Sequence, residues 1–454
     1  MKPSFQTDAA IRFGYGLSPV VAAPLSVEAM LARLQGPDDM ARRYPIIPFA
    51  QRAEEERVLG VLRKAMRAQE DGAKDVFKKA NAAARADLMR EMRVSMLRPM
   101  LSEDGFRERL VRFWADHFTV IARSKGLAFV TTGYIESAIR PHITGNFATL
   151  LRAAAIHPAM LIYLDQIASI GPNSVIGKRK NRGLNENLAR EVLELHTLGV
   201  GGTYSQTDVR EFAQLLTGLF YNFRTGVKFR EASAEPGAEQ VLGQSYGGKR
   251  ARLDDIHAIL DDLAAHPDTA RHIARKLVVH FVSDAPDERL VDHVATAYRD
   301  SGGELLATYT ALLEHPVAWE NPGQKAKQPF DFIVSTMRAL NVSPDQIENL
   351  KLRKTRLYLH APLQVMGQPW LQPAGPDGWP EALEDWITPQ GLAARIQWAL
   401  VVAGLYGKGL DPKEFARATL ADRADARLVR AVGFAESRLE GIALVLASPE
   451  FNRR

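Results

Sequence analysis

Apolar residues recur every three and four positions along most of this chain, the period of a helix with one buried face. Residues 53–100 are rich in Ala, Leu, Met, Glu, Lys and Arg, all good helix formers. DFIVSTMRAL (331–340) and GLAARIQWALVVAGLY (391–406) repeat the pattern. Strict alternation is scarce. Its best instance is 220–243, where aromatic and charged residues alternate around Thr225-Gly226, and a small β-hairpin or meander is expected there. The predicted fold is mainly α, a large multi-helical body carrying one small β element.

Three apolar runs end in His-Pro, at His157, His266 and His315, and the last run ends in Ser-Pro at 448–449. Proline suits the first turn of a helix and pushes the residue before it out of helical geometry. These sites therefore predict helix–turn–helix joints, with the histidines as cap or joint residues rather than ligands. Their spacing is too irregular for a solenoid. Residues 362–390 hold six prolines and three of the six tryptophans, which predicts an ordered surface loop. Trp370, Trp379 and Trp386 would pin that loop to the helical body or offer a stacking platform for a sugar-like ligand. The expected organisation is one helical domain over 1–454, with room for two lobes.

Composition narrows the chemistry. The 454 residues are 46% hydrophobic and 24% charged, enough for a large core. With no cysteine there is no disulfide, thiolate metal site or cysteine nucleophile. A net charge of +5 is a mild excess. Its densest patch, GKRKNRG (177–183), lacks interleaved aromatics and reads as a solvated loop, so no nucleic-acid partner is expected. No stretch is apolar enough to span a membrane. The N-terminal residues lack an apolar signal region, so the chain as given is expected to stay in the cytoplasm.

The most chemically loaded stretch is NENLAREVLELHTLGVGGTYSQTDV (185–209). Asn185 is a suitable N-cap, Gly199 a suitable left-handed stop, and Ser205 with Asp208 a variant capping box for the next helix. At roughly 100° per residue, Glu186, Arg190, Glu191 and Glu194 share one side. Arg190 is four residues from both Glu186 and Glu194, so an exposed face would carry ordinary ion pairs of about 0.3–0.5 kcal/mol each. His196 falls on the apolar side, either as a core histidine bonded to a carbonyl or aimed into an interior polar site.

FWADHFTV (113–120), ESAIRPHITGNFATLL (136–151) and HPAMLIYLD (157–165) place His117, Arg140, His142 and His157 among aromatic and aliphatic neighbours. Imidazole and carboxylate suit zinc, iron or manganese, yet no metal-binding spacing is present. A divalent metal is admitted but not signalled, and the cofactor is unknown. GxSxG, P-loop and full dinucleotide fingerprints are missing, and RFGYG (12–16) offers a GxG only.

Taken in order, AAIRFGYG, FWADHF, IRPHITGNFATLLRAAAIHPAMLIYLD, the 185–209 stretch, HPDTARHIARKLVVHFV, GWP and LASPEF resemble a bacterial family of uncharacterised proteins, domain of unknown function 1800 (DUF1800). The resemblance spans nearly the whole chain. It implies a mainly helical body and no established activity. Many relatives look exported and are encoded beside a sulfatase-like family (DUF1501), which implies a partner of that kind.

Two functions fit these readings. One is a hydrolase or lyase acting on a glycan or related polymer. Glu191 or Glu194 would be its general acid or base, His196 or His142 the partner, Arg190 the orienting cation, and His117 part of the pocket. The other is a non-catalytic assembly or scaffold protein that holds the sulfatase-like partner, with the Glu/Arg set fixing helix register.

Overall fold

The computed structural model describes residues 3–122, 125–180 and 183–454. The helix formers of 53–100 fold as two packed helices, Phe49–Arg67 and Ala73–Leu101, whose joint closes on Gly72 at φ 69°. Pro329–Ala339 and Pro389–Tyr406 are helices too, each with proline in its first turn. The protein is mainly α.

The His-Pro joints behave as caps. The Nδ1 atoms of His157, His266 and His315 accept the backbone N–H two residues on, at 3.2, 3.1 and 3.3 Å. Burial holds His157 neutral, pushing it down to about 3, which keeps that nitrogen an acceptor. Two antiparallel hairpins form the β structure among the described residues. Leu219–Asn222 pairs with Gly226–Phe229, and Gly237–Val241 with Gln244–Gly248. The second extends past the expected 220–243 element, turning at Leu242-Gly243. The basic 177–183 run departs from the expected loop. Val175–Lys180 is helical, and residues 181–182 lie outside the described residues.

Two apolar cores divide the body. Phe13, Phe106, Trp114, Phe147 and Phe281 belong to the first, and Tyr15, Phe330, Trp398 and Phe451 to the second. The chain crosses between them at RFGYG. Arg109 Nε and Nη2 donate to the Gly14 carbonyl at 3.0 and 2.7 Å, and Nη1 donates to Asp331 at 2.9 Å. A side chain at Gly14 would put its Cβ 2.7 Å from the Ala10 carbonyl oxygen. The glycines of RFGYG therefore serve a backbone crossing. Arg338 adds donors to the carbonyls of Gly16, Met100 and Ser102 at 2.8–3.1 Å. Among the described residues no helix is long and apolar enough to cross a membrane.

Candidate active site

The 185–198 stretch forms two joined pieces, not one uniform helix. Asn187–Glu191 is α-helical and Val192–His196 continues as a single π turn. The N-cap is Glu186 and not the expected Asn185, which acts from one residue further out, its Oδ1 accepting Asn187 N–H at 2.9 Å. The Ser205–Asp208 capping box and the positive φ of Gly199, 86°, are as expected. A π turn departs from the 100° wheel, and such turns are frequent at functional sites.

Arg190 bridges Glu186 and Glu194 at 3.5 and 3.0 Å, and Gln206 accepts from Arg190 and donates to Glu186. All are partly exposed, so this is surface pairing and not an internal register-fixing network. Glu191 is more enclosed. Burial first, then Glu194 and Asp377, push its carboxyl up to about 7 against the pull of Arg190.

His196 is buried beneath that turn, with ring centroids 4.9 Å from Phe118 and 5.9 Å from His117. Two carbonyls of the π turn are met by imidazoles: His117 Nε2 lies 3.1 Å from His196 O, and His272 Nε2 3.0 Å from Leu195 O. A carbonyl only accepts, so both Nε2 atoms carry the proton and each Nδ1 presents its lone pair. Gly199 makes room for this, since a Cβ there would sit 2.8 Å from His272 Nδ1. Burial, foremost, holds His117, His196 and His272 neutral, His196 at about 3 and His272 at about 4. His142 is not brought to this cluster. It ends the Arg140–His142 turn, partly exposed, with no ring contact to His117 or His196. Arg140 is committed to Asp38 and Glu108.

Three residues outside the expected set complete the site. Asp116 lies in the last turn of the Gly105–His117 helix and accepts Trp379 N–H through both carboxylate oxygens, at 3.0 and 3.2 Å. Burial, foremost, pushes it up to about 7; Glu381 adds to this, while Lys276, the Trp379 N–H and Arg112 oppose it. Lys276 stands one helical turn after His272, partly buried, with no hydrogen bond or ion pair among the described residues. Burial lowers its pKa against the attraction of Asp116, Glu381 and Asp377. Glu381, from the same loop as Trp379, is bound by His280 at 2.5 Å and Lys325 at 2.9 Å. Burial opposes its charge, yet His280, Lys325 and Arg454 hold it well below the usual carboxylate range.

The segment 366–382 thus folds over the end of the Gly105–His117 helix. Trp370 and Trp386 are buried and pin it, whereas Trp379 is partly exposed. Between the two cores, Asp116, Trp379 and Trp370 help to line a pocket open to solvent. An acid titrating near neutrality on a pocket wall, beside an unpaired lysine, can give and take protons at neutral pH. Among the described residues no three His, Asp or Glu side chains are grouped to hold a metal ion.

The missed residues left a trace in the sequence. His272, Lys276 and His280 recur at four-residue spacing in a quoted motif, Asp116 precedes His117 in FWADHF, and Trp379 is the centre of GWP. No curated protein and no solved structure matches the chain. Residues 8–453 match the family model described as protein of unknown function (DUF1800), and the chain belongs to that family.

Proposed function

We propose that this protein is an acid–base enzyme of the hydrolase or lyase class acting on a glycan or related polymer. The carrying observation is Asp116, pushed up to about 7 on the wall of an open pocket with the unpaired Lys276 near it. Asp116 is the general acid or base, and Lys276 is the second proton carrier or the stabiliser of developing negative charge. The neutral His117, His196 and His272 position the end of the π turn. Glu191, on that turn and in the field of Asp377, keeps the role of a second acid. Arg190 and Glu194 are held by one another on the surface, so their parts pass to Lys276 and Asp116.

The test is turnover. Purified protein is incubated with a panel of acidic and neutral glycans, following new reducing ends and the ultraviolet absorbance of unsaturated products. The expected result is turnover of at least one polymer, reduced by about 100-fold or more in Asp116→Asn and in Lys276→Met. No turnover of any polymer, or equal turnover in the variants, would overturn the reading.

A second reading, a scaffold for a sulfatase-like (DUF1501) partner, draws support from one surface. Ile396, Leu400, Val401 and Leu405 stand 40–49% exposed on the Pro389–Tyr406 helix. Stoichiometric complex formation with such a partner, abolished by Leu400→Glu and indifferent to Asp116→Asn, would favour it.

A further inference from the structure

The same pocket holds a charge pattern that bears on what enters it. Four of its charged wall residues are paired off. Arg98 binds Glu136 through both Nη atoms, at 2.6 and 3.0 Å, and Arg140 binds Glu108. Two are left. Arg112 and Asp116 stand one helical turn apart on the same face of the Gly105–His117 helix, and neither has an ion-pair partner among the described residues.

Arg112 is held without being neutralised. Its guanidinium lies over the ring of Phe330, 3.8 Å from the centroid, and makes no hydrogen bond among the described residues. Stacking fixes the plane of the guanidinium and leaves its edge donors free, the geometry that takes a carboxylate through two parallel hydrogen bonds. Asp116 and Asp331 lie in its field, yet no carboxylate among the described residues bonds to it, which leaves its donors for an incoming anion. Trp370 and Trp379 supply flat apolar surface nearby, while Asp116 supplies a group able to donate to a hydroxyl or a glycosidic oxygen.

We infer that this pocket binds a carboxylate-bearing sugar unit, with Arg112 clamping the carboxylate, Trp379 flanking the ring and Asp116 facing the reacting oxygen. This deepens the acid–base reading by naming the class of glycan as acidic, of the uronate kind. Arg112 becomes the residue that sets specificity. The paired Arg98 and Arg140 build the wall and do not compete for the ligand.

Binding tests this without turnover. Isothermal titration of the full-length protein with D-glucuronate, D-glucose and inorganic phosphate is compared with that of Arg112→Met and Arg112→Lys, each checked for an unchanged circular dichroism spectrum and melting temperature. The expected result is glucuronate bound at least about tenfold more tightly than glucose or phosphate. Arg112→Met should lose that margin and Arg112→Lys should keep part of it. Three results overturn the inference: no glucuronate binding, equal binding of glucose, or full glucuronate affinity in Arg112→Met. Phosphate matching glucuronate would also overturn it, by reducing the site to a general anion contact. Each of these leaves the acid–base reading intact if a neutral glycan is turned over in an Asp116-dependent way. Glucuronate binding without any turnover would instead sink that reading and keep the ligand.

Discussion

Asp116 and Trp379 are 263 positions apart in sequence, and the Asp116 carboxylate accepts the Trp379 backbone N–H through both oxygens. A helix end from the first core is thereby tied to a loop whose Trp370 packs into the second. The contact keeps the carboxylate partly out of water, and its burial raises the pKa.

The GWP glycine is required by this contact. Gly378 has φ 84°, and a Cβ there would lie 2.7 Å from the Asp116 carboxylate atoms. Gly378→Ala should cost about 1–3 kcal/mol from backbone strain alone, with more from the displaced carboxylate. Chemical denaturation measures it. In an Asp116→Ala background the penalty should shrink, because the clash is gone and the strain remains.

Asp116 should also tilt stability against pH. Its folded pKa, about 7, lies above the ordinary 3.8, so the folded state holds the extra proton between those values. Stability from this group is therefore greatest below about pH 4, falls as pH rises toward 7, and is flat above. Asp116→Asn retains an acceptor for Trp379 and removes the penalty. It should be more stable than the wild type at pH 8, by on the order of 1 kcal/mol or more, with no gain at pH 4. Urea melts at the two pH values read this directly.

His196 acts in the opposite sense. Its folded pKa of about 3 lies below the ordinary 6.5, so its contribution is complete above pH 6.5 and is lost as pH falls toward 3. Between pH 7 and 4.5 the wild type should lose up to ~2 kcal/mol more than His196→Phe, which cannot charge. Parallel denaturant titrations at both pH values check this.

The two arginine settings predict unequal costs. Arg190→Ala removes part-exposed pairs and should cost under about 0.5 kcal/mol, vanishing in high salt. Arg109→Ala leaves the buried Asp331 with only the longer Arg454 contact at 3.9 Å and frees the Gly14 carbonyl, and should cost about 3–5 kcal/mol with little salt dependence. Melts with and without added salt separate them.

The helices were legible because period and caps are local. His157, His266 and His315 cap their joints, and Ser205 with Asp208 forms its box, from residues within three positions of each other. The site was only half legible. His117 and His196 meet as the sequence suggested, but the wheel assumed uniform α geometry and the π turn breaks it. Ion pairing at four-residue spacing drew attention to Arg190 and Glu194, whose charges face water. The more perturbed groups, Asp116 and Lys276, left only faint local traces, the four-residue spacing of Arg112 to Asp116 and of His272, Lys276 and His280. Their surroundings come from a loop more than 100 positions away.

The central claim is that Asp116 exchanges its proton near neutrality beneath that loop, in the field of Lys276. Carbon-detected NMR of protein labelled at the aspartate carboxyl carbons, followed through a pH titration, tests it most directly. One resonance, missing in Asp116→Asn, should titrate near pH 7, and its midpoint should move higher in Lys276→Met as the opposing cation is removed. If every aspartate titrates below about pH 5, or the Asp116 midpoint is indifferent to Lys276, the account is contradicted.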